Sequence, residues 1–253
     1  MPPRVVIHSG IITFAALPLF VLGGLLTRGA SGDEPTPGQQ VAQAYEFEVE
    51  GDAKRKLAYW LYLPKSYAAD KKLPLVMFLH GSGERGDDLE LVKKWGPPKH
   101  VAEGKEPGFI LVSPQCPSGE RWDADVLAGL IRQVQERWSV DKDRTYITGL
   151  SMGGYATWNL LAQHADLFAA AIPVCGGGDP EQAKKMVRVP IWVFHGAKDE
   201  SVPLQRSEEM VEAVKMAGGE VKLTVYPDLG HNSWSKAYGD PETFAWLLKQ
   251  KRP

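Results

Sequence analysis

Apolar and polar positions follow two different periods along this chain. Short, nearly continuous apolar runs such as 75–80 and 145–150 are typical of β-strands that are buried on both faces. Longer stretches place apolar residues three and four positions apart, which is typical of helices that bury one face. Residues 123–138 are the clearest example, with an apolar stripe that includes Leu127 and Ile131. The pattern therefore predicts both strands and helices.

The two kinds of element alternate from about residue 45 to the end of the chain. Strands are predicted at 45–50, 57–63, 75–80, 109–113, 145–150, 170–175, 191–195 and 221–226. Helices are predicted at 89–103, 123–138, 151–164, 180–186, 204–216 and 241–249. Strands that alternate with helices form a mostly parallel sheet covered on both faces, so the predicted fold class is α/β. The first two strands alternate in polarity and are expected near a sheet edge.

The N-terminal segment has a different pattern. Arg4 precedes an uncharged apolar run at 11–26, and small and polar residues follow this run. This layout is typical of a secretory signal peptide, so residues 1–32 are predicted to be removed and the protein to be secreted or periplasmic. A retained membrane anchor is the alternative, although the run is shorter than the roughly 20 residues that a spanning helix needs. Residues 33–44 are predicted to be a linker and 45–253 one folded domain.

The composition excludes several classes of function. A formal net charge of -2 at pH 7 leaves no basic surface for nucleic acid, and 43% hydrophobic residues are typical of a globular domain. Cys116, Cys175 and the scattered histidines show no metal-ligand spacing. We therefore expect a small or polymer-linked substrate, no metal, no stable membrane association after signal cleavage, and a monomer or dimer. Whether the two cysteines pair or stay free thiols is left open.

A G-x-S-x-G motif centred on Ser151 lies between the strand at 145–150 and the helix at 151–164. A sharp strand-to-helix turn strains the central serine and exposes its hydroxyl. Only small neighbours such as Gly149 and Gly153 fit around such a turn. Ser151 is the predicted nucleophile, and an ordinary helix N-cap serine is the alternative.

A serine nucleophile needs a base within hydrogen-bond reach and an acid that orients the base. Asp199 follows the seventh predicted strand and His231 follows the eighth, so both are expected at the carboxyl edge of the sheet beside Ser151. Other candidates nearby in the sequence are His195, Glu200 and Asp228. His195 ends a buried strand and is expected to be packed, and Glu200 would point differently on the same turn. The predicted triad is Ser151 as nucleophile, His231 as base and Asp199 as acid.

The tetrahedral intermediate of acyl transfer needs two hydrogen-bond donors for its oxyanion. The amide of Met152, directly after the nucleophile, is the first predicted donor. The third predicted strand ends in a glycine-rich turn, where the amide of Ser82 is the second predicted donor and a plain turn is the alternative. In the same turn His80 is expected to be structural, and Glu84 and Arg85 are expected to form a local pair.

The loops at the carboxyl edge indicate the kind of substrate. Residues 176–179, after the sixth predicted strand, are too few to form a cap over the site. An open crevice rimmed by aromatic side chains suits short, aromatic or polymer-linked acyl esters. Trp122, Trp234 and Gln115 are the predicted substrate-binding residues, with core positions as the alternative for the tryptophans. Together with export, these features favour acetyl or feruloyl esters of polysaccharides.

Four segments carry a resemblance to a known family: HGSGERGDD, GLSMGGYATW, FHGAKDESVP and GHNSW. They resemble the α/β-hydrolase superfamily, most closely its compact carboxylesterase/phospholipase-like and feruloyl-esterase-like bacterial members. Some of these are labelled predicted peptidases or prolyl-oligopeptidase-like. The resemblance covers nearly all of residues 45–253. It implies an α/β-hydrolase fold whose eight-stranded sheet has one antiparallel strand, with the triad and the oxyanion donors named above.

Together these features predict a secreted serine carboxylesterase that forms an acyl-enzyme and requires no cofactor. A serine peptidase of the prolyl-oligopeptidase-like type is one alternative, although such proteins usually carry a propeller domain for which this chain has no room. A catalytically inactive binding protein on the same scaffold is another. The intact serine, aspartate and histidine argue against it.

Overall fold

The computed structural model describes residues 35–48 and 54–252, which form one eight-stranded sheet surrounded by six α-helices. The strands are β1 Gln40–Phe47, β2 Arg55–Tyr62, β3 Leu73–Leu79, β4 Ile110–Pro114, β5 Val140–Leu150, β6 Ala170–Val174, β7 Ile191–Gly196 and β8 Val221–Tyr226. The helices are α1 Gly96–Ala102, α2 Ala124–Arg137, α3 Met152–His164, α4 Gln205–Met216, α5 Trp234–Gly239 and α6 Pro241–Lys249. The predicted signal peptide, residues 1–32, lies outside the described residues. Among the described residues, no helix has the length and apolar character needed to cross a membrane.

The strands lie side by side in the order β1-β2-β4-β3-β5-β6-β7-β8. β2 runs antiparallel to both of its neighbours, and every other neighbouring pair is parallel. The mostly parallel eight-stranded sheet with one antiparallel strand is therefore confirmed. Because β3 to β8 run in one direction, the loops that follow them emerge at the same edge of the sheet.

Successive residues of the central strand β3 face opposite sides of the sheet. Leu75 and Met77 pack into a core with α2, α3 and α4, whereas Val76 and Phe78 pack into a second core with α1, α5 and α6. All four side chains are fully buried. The predicted helical cover on both faces is confirmed. Truncating one such side chain to alanine would cost about 2–5 kcal/mol.

The predicted linker at 33–44 is wrong from Gln40 onward, because β1 begins there. β1 pairs with β2 along its whole length, from Gln40 opposite Tyr62 to Phe47 opposite Arg55. It is an edge strand, and most of its side chains are only half-buried or exposed. An edge strand needs no continuous apolar run, so its polar sequence is typical of a linker as well.

The helix predicted at 89–103 is divided into two elements. Leu89–Lys94 form a 3-10 helix, and α1 begins at Gly96. Gly96 has φ 64°, and the two prolines that follow it lack the amide hydrogens that a continuous helix would use. The short helix α5 was not predicted, because its six residues are too few to show a clear period.

Candidate active site

Ser151 lies at the turn between β5 and α3, with φ 52° and ψ -115°. A non-glycine residue held in this region stores on the order of 1–3 kcal/mol of backbone strain. A Cβ on Gly153 would overlap the Leu79 carbonyl at the end of β3, and a Cβ on Gly149 would overlap the Gly153 carbonyl. The Ser151 amide donates to the Val174 carbonyl over 3.0 Å. Both motif glycines are thus required by the close packing that holds this strained serine.

Ser151, His231 and Asp199 form a continuous hydrogen-bonded series. His231 Nε2 lies 3.0 Å from Ser151 Oγ, and His231 Nδ1 lies 2.7 Å from Asp199 Oδ2. An ionised carboxylate only accepts hydrogen bonds, so the proton of neutral His231 is on Nδ1 and Nε2 can accept from the serine hydroxyl. The Asp199 side chain is fully buried, whereas 25% of the His231 side chain is exposed. A substrate can therefore reach the histidine but not the carboxylate behind it.

The loop that carries Asp199 and the loop that carries His231 are joined through their backbones. The hydrogen bonds are Ala197 N to Tyr226 O and Lys198 N to Leu229 O, each 2.9 Å long. A Cβ on Gly196 would overlap the carbonyl of Gly230. This close approach fixes the two loops against each other at the carboxyl ends of β7 and β8.

Asp199 is held by four donors. Its Oδ1 accepts from the amides of Ser201 and Val202 over 2.9 and 2.8 Å. Its Oδ2 lies 3.2 Å from His195 Nε2 in addition to its contact with His231. His195 Nε2 also faces the Val202 carbonyl at 2.9 Å, and both neighbours are acceptors, so this nitrogen carries a proton. His195 is fully buried, as predicted, and it helps to hold the acid.

The other sequence candidates do not join this series. Glu200 is exposed, and its side chain has no hydrogen bond or ion pair with the described part of the chain. Asp228 is exposed and pairs with Lys198 at 3.3 Å. Of the acidic candidates, only Asp199 contacts His231.

The predicted oxyanion donors belong to the turn after β3 and to the first residue of α3. Met152 begins α3, so its amide is one of the helical N–H groups that have no partner within the helix. Ser82 follows Gly81, and a Cβ on Gly81 would come within 3.5 Å of Ser151 Cβ. This contact brings the loop of Ser82 directly against the nucleophile, where a developing oxyanion needs donors.

His80 supports this loop from the buried end of β3. Its Nε2 accepts from the Cys116 amide over 3.0 Å, and its Nδ1 donates to the Gly81 carbonyl over 2.6 Å. Burial lowers the pKa of His80 to about 4, so the ring is neutral at pH 7. Its carbonyl accepts from the Trp122 indole over 3.2 Å. His80 therefore connects the loops after β3 and β4, which agrees with the structural role expected for it.

The predicted pair of Glu84 with Arg85 is wrong. Glu84 is buried, with Lys94 Nζ at 3.9 Å as its nearest cation, and burial raises the pKa of its carboxyl group. Arg85 donates instead to the carbonyls of Ser82 and Glu120, each over 3.1 Å. Glu84 is buried whereas Arg85 reaches the loop after β4, so the two side chains do not pair.

Gln115 is also placed differently from the predicted substrate-binding role. It is buried, and its amide nitrogen donates to the carbonyls of Glu84 and Asp88 over 3.0 and 2.8 Å. Its side-chain donor is thus used within the protein, and Gln115 supports the loops after β3 and β4 instead of facing a ligand.

A cavity of about 430 Å³ runs along α3 and is lined by Trp122 and by Met152, the residue after the nucleophile. The three triad residues do not line it themselves. Trp234 does not line it either. It is buried, and its ring packs edge-on against His231 with centroids 5.1 Å apart, so it supports the base. Tyr155, which was not predicted as a site residue, also lines the cavity and is 38% exposed. Its position one helical turn after the motif was the signal that could have identified it.

Cys116 and Cys175 are buried free thiols. Burial raises the pKa of Cys175 to about 12 and that of Cys116 to about 11. The possible ligand atoms of Cys175, Asp199 and His231 all lie within 4.8 Å of one another. The donors there are a protonated thiol and two groups already bonded to each other, so their chemistry does not fit a resident metal ion.

Comparison with known proteins agrees with this arrangement. Residues 117–239 match the Dienelactone hydrolase family. A bifunctional acetylxylan esterase/xylanase of Neocallimastix patriciarum is 30% identical over 156 residues, which cover 58% of this chain and 22% of that protein. Acetylxylan esterase A of Emericella nidulans is 27% identical over 158 residues, 56% of this chain and 48% of that protein. The chain thus spans less than half the length of these curated relatives.

Solved structures show the same architecture. The crystal structure of a thermostable esterase is similar with a TM-score of 0.72 and 34% sequence identity, over 83% of this chain and 63% of that chain. The sheet order, the serine turn and the family match all agree with this similarity. The chain therefore has an α/β-hydrolase-like fold, and its residues 117–239 are similar to the dienelactone hydrolase family.

Proposed function

We propose that the protein is a serine carboxylic-ester hydrolase. The observation that carries the proposal is the unbroken series from Ser151 Oγ through the His231 ring to Asp199, with contacts of 3.0 and 2.7 Å. A serine hydroxyl is a weak nucleophile, and a base with a fixed tautomer is what activates it. The esterase relatives support the same class of reaction.

The reaction proceeds in two halves. Ser151 Oγ attacks the ester carbonyl carbon while His231 Nε2 takes its proton, and the amides of Ser82 and Met152 stabilise the oxyanion. The tetrahedral intermediate collapses to an acyl-enzyme, and His231 gives its proton to the departing alcohol. Water then attacks the acyl group, His231 takes a proton from it, and the acid product leaves as Ser151 regains its proton. Asp199 stays ionised and stabilises the imidazolium.

The substrates we propose are short or aromatic acyl esters, including acetyl and feruloyl groups on polysaccharides. The cavity beside Met152 is open and carries amide side chains, those of Asn159, Gln163 and Gln182, next to its aromatic residues. Only a short loop and a 3-10 helix, Pro180–Lys185, separate β6 from β7. Such a site accepts a polymer-linked ester, whereas a long acyl chain needs a closed apolar tunnel.

The proposal is tested with p-nitrophenyl acetate, p-nitrophenyl palmitate, methyl ferulate and a proline-containing peptide anilide. We expect hydrolysis of the acetate and the ferulate, and a loss of about 10⁴-fold or more in Ser151→Ala with the fold retained by circular dichroism. Full activity in Ser151→Ala would end the proposal. Preference for the anilide would indicate a peptidase. Failure of a fluorophosphonate probe to label Ser151 would indicate an inactive scaffold.

We also propose that the protein is exported and acts as a secreted or periplasmic enzyme. The signal-like pattern of residues 1–32 supports this proposal. N-terminal sequencing of the mature protein is expected to find a start near Asp33. A mature protein that begins at Met1 would contradict cleavage.

A further inference from the structure

Two cavities meet at the loop between β4 and α2. The first, of about 430 Å³, runs along α3 beside Met152. The second, of about 290 Å³, lies between the start of β2 and the loop residues 116–123. Arg121 and Trp122 line both cavities. The two spaces are therefore neighbours, and a ligand longer than either one would pass these two side chains.

Trp122 is a fixed wall between the cavities. Its indole N–H donates to the His80 carbonyl over 3.2 Å, and its ring packs on the His80 ring with centroids 4.8 Å apart. The side chain is half-buried, so part of the ring remains open to a ligand. Tyr155 adds a second exposed ring in the first cavity. Rigid aromatic rings of this kind pack well against the C–H faces of sugar rings at little entropic cost.

Most charged side chains in the two cavities already have partners. Arg55 pairs with Glu120, and Lys56 pairs with Glu46. Asp123 accepts from the Val126 amide at the start of α2.

The carboxylate in the first cavity, that of Asp179, also has hydrogen-bond partners. Asp179 accepts from the Glu181 amide and from the Gln182 side chain, over 3.0 and 3.1 Å. Arg121 is the exception. It is exposed and has no hydrogen bond or ion pair with any residue in 35–48 or 54–252. An unpaired guanidinium that borders both cavities favours an anionic ligand, and a carboxylate matches its forked donors.

On the basis of the proposed function, we propose that the two cavities form one cleft for an acidic oligosaccharide. Sugar units cross Trp122, a carboxylate on the chain pairs with Arg121, and an ester on the same chain reaches Ser151. Gln163 donates to the Asn159 amide oxygen over 2.9 Å, which leaves the Asn159 amide nitrogen and the Gln163 amide oxygen for the hydroxyl groups of the sugar. The enzyme would then prefer esters on polysaccharides that carry uronic acid units over esters on neutral chains.

The test measures binding by calorimetry with the Ser151→Ala protein. The ligands are xylotetraose with one glucuronic acid branch and unbranched xylotetraose, neither of them esterified. We expect the branched ligand to bind about fivefold more tightly, with a difference that shrinks as salt is added. In Ser151→Ala/Arg121→Gln this difference is expected to disappear.

The matched control is Ser151→Ala/Arg188→Gln, which removes the same charge. Arg188 is exposed and lines neither cavity. This control is expected to keep the preference for the branched ligand. Equal binding of both ligands, or tighter binding of an acidic tetrapeptide, would overturn the cleft proposal.

Hydrolysis of p-nitrophenyl acetate by the unmodified enzyme separates the two proposals. Hydrolysis without a preference for the branched ligand would overturn the cleft and leave the esterase standing. A preference for the branched ligand without hydrolysis of any ester would overturn the esterase and support an acidic oligosaccharide site.

Discussion

Acidification is expected to destabilise the protein through His80. Burial lowers the pKa of His80 from 6.5 to about 4 in the folded protein. The unfolded chain therefore takes up this proton at a higher pH than the folded chain, and the free energy of unfolding falls as pH drops from 6.5 towards 4. Between pH 7 and about pH 4.5, the unequal proton uptake corresponds to a loss of roughly 2 kcal/mol.

The hydrogen bonds of His80 explain why the folded protein resists protonation. Nε2 accepts from the Cys116 amide, and Nδ1 already donates to the Gly81 carbonyl. A second proton would sit on Nε2 and face a donor, in a place from which water is excluded. The cation could form only if the loops after β3 and β4 separated.

Urea unfolding followed by tryptophan fluorescence measures the effect in the parent protein and in His80→Asn. The asparagine amide can still donate to the Gly81 carbonyl but does not titrate. The variant loses the acceptor of the Cys116 amide and is expected to be about 1–3 kcal/mol less stable at pH 7. Its stability is nevertheless expected to fall less on acidification, by the roughly 2 kcal/mol assigned to His80. Glu84 and the other acids titrate in both proteins, so only His80 can make the two losses of free energy differ. Equal losses between the two pH values would refute the assignment to His80.

Three further predictions concern the active site. Gly153→Ala is expected to lower kcat/KM on p-nitrophenyl acetate about 100-fold, because the new Cβ pushes the serine turn away from β3. The control Gly239→Ala places its Cβ in open space and is expected to leave kcat/KM unchanged. His195→Phe removes a donor to Asp199 and is expected to lower kcat/KM about tenfold, in line with roughly 1.5 kcal/mol for a hydrogen bond to a charge. His195→Gln can still donate and should retain more activity, so equal losses would contradict this role. Iodoacetamide is expected to leave Cys175 unmodified in the native protein and to label it in urea, because burial raises the pKa of this thiol to about 12. Intact mass spectrometry measures the labelling, and a labelled Cys175 in the native protein would contradict the prediction.

Elements marked by local signals were predicted well from the sequence. β8 and α6 have the predicted bounds, and α6 begins with an aspartate cap followed by proline at its first position. The placement of Ser151, Asp199 and His231 at one edge follows from strand direction and from the order of the loops. Caps and motifs depend on residues that are close in sequence, and the order of the loops follows from the alternation of strands and helices, which is why the sequence reveals both.

Features that depend on contacts between distant parts of the chain were not predicted. Gln115 and Glu84 turn inward although both lie in polar loops, because β4 and the loop after β3 pack together through His80 and the Gln115 amide. The start of β1 was missed because its order comes from pairing with β2 rather than from its own apolar pattern. Side-chain direction in loops and the extent of edge strands are set by neighbours that are distant in sequence.

The bonded loops after β7 and β8 have a consequence for the mechanics of the triad. Because their backbones are joined, the loops that carry Asp199 and His231 are held against each other. Ser151 is attached to β5, and β6 lies between β5 and β7 in the sheet. The distance between the serine and its two partners therefore depends on how β5, β6 and β7 pair in the sheet. A strand without any catalytic group lies between the nucleophile and its partners, so a change in the pairing of β6 is expected to alter the contact of His231 with Ser151.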